Sequence, residues 1–123
     1  MSATTIAGVA AAGALGAPCR YLIAQHLTRP AGHPWGTFFV NVSGSFVLGV
    51  VTGAALYHAF PATPRIWLGT GFCGSYTTFS TFTAETVGLL DDGRPREGLA
   101  YLLASVLAGT AAAAIGLGLA TIH

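Results

Sequence analysis

The sequence predicts an all-α membrane protein of four transmembrane helices, the third of them broken near Gly74 to Thr77. Three observations carry that prediction. Of 123 residues, 53% are hydrophobic and only 7% are charged, far below the roughly 25% of a soluble domain. Four stretches reach the about 20 mostly apolar residues that a span needs: Thr4 to Ala24, Thr37 to Ala59, Ile66 to Leu90 and Leu99 to Ile122. Within the third, glycines at 69, 71 and 74 run into a Ser/Thr series. Glycine is a poor helix former and hydroxyl side chains bond back to their own backbone, so a straight helix is disfavoured there.

The first span begins Ile6-Ala7-Gly8-Val9-Ala10-Ala11-Ala12 and has no basic residue before Arg20. Its apolar stretch exceeds that of a signal peptide, so it reads as a retained helix. Gly8, Ala12 and Gly16 recur every fourth residue, as do Ser45, Gly49 and Gly53 in the second span and Ser105, Gly109 and Ala113 in the fourth. Small residues at that spacing let helix backbones approach closely. Arg20 closes the first span, where it either snorkels to the interface or places an anion-attracting charge at a vestibule. Asn41 lies about one turn into the second span, with Ser45 a turn further on, and an amide at membrane depth needs a partner, either on another helix or in a pore. Asn41-Val42-Ser43 fits the glycosylation pattern but is inaccessible inside a span.

In hydrocarbon, irregular backbone survives only where protein buries it or water reaches it, and transporters use such breaks to bind ions. The break is therefore a candidate site. After it, Phe79 and Phe82 share a helix face with Thr83, with Thr81 and Glu85 roughly opposite. The same residues also suit a close-packed helix contact, with rings filling grooves. On the fourth span Tyr101 and Ser105 share a face. The spans are joined by Gln25 to Gly36 with Pro30 and Pro34, Phe60 to Arg65 with Pro61 and Pro64, and Asp91 to Gly98 with Gly93 and Pro95. All three connections are polar and rich in turn formers.

The whole chain, residues 1–123, reads as one domain without an internal repeat. Its five basic residues are all arginine and balance four acids to a net charge of +1, which provides no field for nucleic acid. Cys19 and Cys73 are too far apart in sequence for a zinc or redox motif and read as packing residues. His26, His33, His58 and His123 fall at or beyond helix ends, without ligand spacing. No nucleophile, base or metal cluster suggests an enzyme. Arg65 lies on one side of the membrane against Arg29, Arg94 and Arg96 on the other, a bias that weakly places both termini outside. Four helices without wide polar faces do not readily enclose a pore, so an oligomer is expected, with any two-fold symmetry supplied by a second chain.

Gly71-Phe72-Cys73-Gly74-Ser75-Tyr76-Thr77-Thr78-Phe79-Ser80-Thr81-Phe82 resembles the signature of the Fluc (CrcB) fluoride channels. Val40-Asn41-Val42-Ser43-Gly44-Ser45-Phe46 resembles their second signature, and Gly16-Ala17-Pro18-Cys19-Arg20-Tyr21 looks like the third. The motifs come in the family's order, and the resemblance covers nearly the whole chain. The resemblance implies an antiparallel, dual-topology dimer with two pores, in the cell membrane of a prokaryote. Asn41, Phe79, Phe82, Tyr101 and Ser105 would line the pore, Arg20 would face a vestibule, and the carbonyls of Gly74 and Thr77 from both chains would hold a structural sodium ion. Ser75 stands where many members have glycine, Tyr76 brings bulk beside that site, and Gly109 stands where some have another hydroxyl. The role of Glu85 is left open, as is whether the partner is a second copy or an oppositely oriented sister chain.

Fluoride is small and strongly hydrated, so its path must replace water with donors and stay too narrow for chloride. Hydroxyls, an amide and the positive edges of phenyl rings meet that need without a trapping charge. Two rivals use similar chains. A small multidrug-type exporter forms antiparallel dimers but carries an acidic residue in the middle of its first helix, which is missing here. A non-transporting scaffold would leave the broken helix unexplained.

Overall fold

Helix order follows the predicted spans. The computed structural model describes residues 1–27 and 33–122, so Arg29, Pro30 and His123 lie outside the described residues. Helix α1 spans Ala3–Leu27 and α2 Trp35–Tyr57. The third span is divided into α3 (Ala62–Ile66), a π-helical stretch (Trp67–Cys73), α4 (Gly74–Tyr76) and α5 (Phe79–Asp91), and α6 runs over Pro95–Leu119. Helices α1, α2 and α6 are each long and apolar enough to cross a membrane. By contrast, α5 has 13 residues, on the order of 20 Å at 1.5 Å per residue, too short to cross alone.

Helix ends follow local chemistry. Ser2 Oγ accepts the Thr5 N–H at 3.1 Å and so caps α1. Helix α5 stops where Gly93 takes φ +73°, in the left-handed region open to glycine. There the Arg94 N–H returns to the Leu89 carbonyl at 2.9 Å and that of Gly93 to Leu90 at 3.2 Å, a Schellman closure. Pro95 then starts α6, where its missing N–H costs nothing.

The stripes of small residues decide the packing. Gly49 lies so close to the Ala113 backbone that a methyl group there would overlap its carbonyl, and Gly116 meets the Phe46 carbonyl in the same way. Gly53 sits against Leu117 and Ala120, and Gly109 faces Ser45 Oγ. The stripes of α2 and α6 therefore interlock backbone to backbone, as small-residue packing predicts. The α1 stripe finds a different partner, the interrupted span: Gly8 sits against the Trp67 indole, Gly71 against Ala12, and Gly16 against the Phe72 carbonyl. Large apolar side chains such as Ile6, Leu15, Leu48, Leu56, Leu103, Leu107 and Ile115 point outward, which suits lipid rather than water.

The break differs in detail from the expected one. Gly74 is helical, with φ −61° and ψ −33°, and the glycines at 69 and 71 lie within the π-helical stretch, braced by α1. The extended residues are Thr77 (φ −80°, ψ 161°) and Thr78 (φ −148°, ψ 124°). Glycine lowers the preference for helix, but packing against α1 overrides it. The chain leaves helical geometry where side chains offer its backbone other partners.

Candidate functional site: the break and the groove beside it

Helix α4 closes on Thr77, whose N–H and Oγ1–H both donate to the Cys73 carbonyl, at 3.0 and 2.9 Å. One residue later Asn41, on α2, takes over. Its Oδ1 accepts the Thr78 N–H at 2.8 Å, and its Nδ2 donates to the Thr78 carbonyl at 2.9 Å. The amide thus serves Thr78 as a neighbouring β-strand would, and the two bonds fix which end is oxygen and which nitrogen. Thr78 in turn caps α5, accepting the Thr81 N–H on its Oγ1 at 3.2 Å.

This exchange has a consequence at Gly74. In an unbroken helix the Thr78 N–H would donate to the Gly74 carbonyl. Here it goes to Asn41, and Gly74 lies exposed. Arg20 meets the same segment from the other side. Because α1 continues to Leu27, Arg20 does not close the helix but lies about two turns inside it, half-buried, with Nη1 donating to the Thr77 carbonyl at 3.4 Å.

An open groove of about 290 Å³ runs along the break, lined by Asn41, Ser45, Gly74, Thr77, Phe79 and Phe82 among others, and no charged side chain forms its wall. Phe79 is 77% exposed and Phe82 only 7%. Their ring centroids lie 6.1 Å apart, tilted by 56°. Behind Phe82, Tyr101 stands edge-on at 5.3 Å, and its hydroxyl donates to Glu85 Oε1 at 3.3 Å. Ser105 does not line the groove; its hydroxyl is buried with no hydrogen-bond partner among the described residues. The arrangement therefore brings Asn41, Gly74, Thr77, Phe79 and Phe82 together, sets Tyr101 one ring behind them, and keeps Arg20 on the far face of the break.

Sequence reasoning missed Thr78, the residue on which the site turns. Its signal was a threonine directly before a helical run, an N-cap pattern submerged in neighbouring hydroxyls. It also missed Tyr76, whose hydroxyl shares a hydrogen bond of 2.9 Å with Ser43 Oγ while its ring stacks on Phe72. No group of three or more His, Cys, Asp or Glu could hold a metal among the described residues. The donors that could serve a cation are the Gly74 carbonyl, released from its helical partner, and the Thr77 carbonyl, with one long contact and a lone pair to spare. Neutral carbonyls at an unwound helix suit an alkali cation.

Three apolar helices and a fourth interrupted at a pinned, uncharged groove define a multi-pass membrane protein. The chain belongs to the family described as CrcB-like protein, Camphor Resistance (CrcB), whose profile matches residues 7–117. It is 46% identical to the fluoride-specific ion channel FluC 2 of Rhodococcus jostii, over 91% of this chain and 95% of that one. Identity is 45% with the fluoride-specific ion channel FluC of Rhizobium meliloti, over 91% and 90%, and 41% with that of Nitrobacter winogradskyi, over 95% of both chains. These relatives are named as ion channels, not as enzymes.

Proposed function

We propose that this protein is a fluoride-selective channel that lets fluoride leave the cytoplasm passively. The observation that carries the reading is the groove at the Thr77–Thr78 break, uncharged and walled by an amide, hydroxyls and two phenyl rings, in a chain whose relatives are named for fluoride. A fluoride ion entering it loses water to the free Nδ2–H of Asn41, to hydroxyls and to ring edges, which hold an anion without a fixed charge that would trap it. The open groove and the exposed Phe79 call for a second surface to complete the path. We assign that surface to a second copy or a sister chain in an antiparallel, dual-topology dimer with two pores. Arg20, in a vestibule, raises the local anion concentration. Tyr101 and Ser105 continue the path with hydroxyls.

A sodium ion would be held by the Gly74 and Thr77 carbonyls, one pair from each chain, and would supply a fixed positive charge and a tie between the chains. What this chain does toward it is release the Gly74 carbonyl, by giving the Thr78 N–H to Asn41.

The test is fluoride efflux from liposomes holding the purified chain alone. Passive efflux with chloride excluded is expected, and equal chloride flux overturns the reading.

A further inference from the structure

The small-residue contacts between α2 and α6 fix a register. Ser45 meets Gly109, Gly49 meets Ala113 and Gly53 meets Leu117, so the pairing advances turn by turn along both helices. The two helices therefore run parallel, and the same register carried back towards their starts sets Asn41 level with Ser105 and Thr37 level with Tyr101. At those two levels both helices carry a polar side chain. At the next, α6 presents only Gly109, and one turn further on Gly49 and Ala113 offer nothing polar at all. The polar run along this seam thus ends on a single side chain, that of Ser45.

We propose that Ser45 supplies, from α2, the hydroxyl that α6 lacks at Gly109, and that it donates to fluoride at this end of the path. The proposal rests on the channel reading above. Ser45 lines the groove at the break, and its Oγ lies 3.6 Å from the point where a Cβ on Gly109 would stand. The helices are so close here that a side chain from either one ends in the same space. Elsewhere on α2 the hydroxyls turn back onto their own helix: Ser43 Oγ donates to the Phe39 carbonyl at 2.7 Å, and Thr52 Oγ1 to the Leu48 carbonyl at 2.8 Å. Ser45 makes no such bond among the described residues, which leaves its O–H for an acceptor in the groove. What the ion needs at this level is a donor, whichever helix carries it. Glycine at 109 and serine at 45 meet that need with one hydroxyl, where serine on both helices would crowd the seam with two.

The experiment moves the hydroxyl across the seam and measures initial fluoride efflux from liposomes, with thermal melting in detergent alongside. Ser45→Ala removes one oxygen and keeps the Cβ, so melting should stay at the wild-type value. Losing a hydrogen bond to an ion in an open groove, where water replaces part of it, should slow efflux about tenfold. The double variant Ser45→Ala with Gly109→Ser returns a hydroxyl from the other helix. Its added Cβ has room, since 3.6 Å to the Ser45 Oγ position is an ordinary contact, and it should recover most of the lost rate. Thr52→Ala, which removes a hydroxyl already bonded to its own helix, should conduct as the wild type does. A purely structural role for Ser45 would move melting and efflux together and would gain nothing from serine at 109. The proposal is overturned by a Ser45→Ala protein with wild-type efflux, or by a double variant as slow as the single one. A wild type that passes no fluoride would instead overturn the channel reading itself.

Discussion

Replacing Asn41 by alanine withdraws both hydrogen bonds from Thr78 and leaves the Thr78 backbone half-buried with neither partner. A backbone group stranded in this way costs about 1–3 kcal/mol. Because the groove is open, water can enter and serve part of the need, which puts the expected loss at the low end, about 2 kcal/mol for the pair. That is enough to change the ratio of pinned to unpinned breaks by roughly 30-fold. Asn41→Asp is a sharper probe. It keeps an acceptor for the Thr78 N–H but sets a carboxylate oxygen against the Thr78 carbonyl and a negative charge on an anion path, so its fluoride flux should fall below that of Asn41→Ala. Liposome efflux gives the rate, thermal melting in detergent gives the stability, and hydrogen exchange of the segment 77–82 reports the pinning directly. An alanine variant with wild-type melting and wild-type exchange in that segment would refute the idea that Asn41 holds the break.

Phe79→Ile should reduce flux with little loss of stability, since the ring is 77% exposed, whereas Phe82→Ile, buried against Tyr101, should lose flux and about 1 kcal/mol of packing as well; efflux and melting separate the two, and normal conduction in both would make the rings packing residues only. Gly49→Ala or Gly116→Ala must push α2 and α6 apart, because the added methyl meets backbone, while Gly118→Ala meets nothing within 4 Å and should fold normally; yield of monodisperse protein decides. Exchanging sodium for a bulky organic cation at constant ionic strength, after stripping bound sodium, should weaken the dimer and the flux together by the linkage RT ln(1 + [Na⁺]/Kd). Unchanged dimer stability and flux would remove sodium from the account.

The parts of this protein legible in its sequence are those set by repetition. Long apolar runs and fourth-residue small stripes each sum many weak preferences, and α1, α2 and α6 follow them to within a few residues. The interlock of Gly49 with Ala113 was implicit in the same stripes, though not which stripe met which. The break was legible as a region and not as a position. The expected range, Gly74 to Thr77, contains Thr77, one of the two extended residues, but the glycines that helped suggest it matter most where a backbone leaves the range alanine accepts. Gly74 turns out to be helical with room for a methyl group, its nearest neighbour being the Gly69 carbonyl at 3.8 Å. Alanine at 74 should therefore be tolerated by the backbone. The true position depends on Asn41, 37 residues away from Thr78 in the chain, and no local pattern near Thr78 encodes such a partner.

That distant partner explains how a short extended step can have a definite shape inside a membrane. Asn41 belongs to α2, which is locked to α6 through glycine contacts of backbone on backbone. Arg20 belongs to α1, whose small face holds the π-helical stretch and α4. Thr77 is therefore referred to α1 through its carbonyl, and Thr78 to the α2–α6 pair through both its backbone groups. The two extended residues therefore bridge the α1 side and the α2–α6 side of the bundle. Their conformation follows from the spacing of those two sides together with their own preference, since β-branched threonine favours an extended backbone. Phe79 begins α5 directly after this step, so the direction in which its ring projects into the groove is set by the same two anchors. Loosening either one should therefore alter the groove without any change to the groove's own side chains.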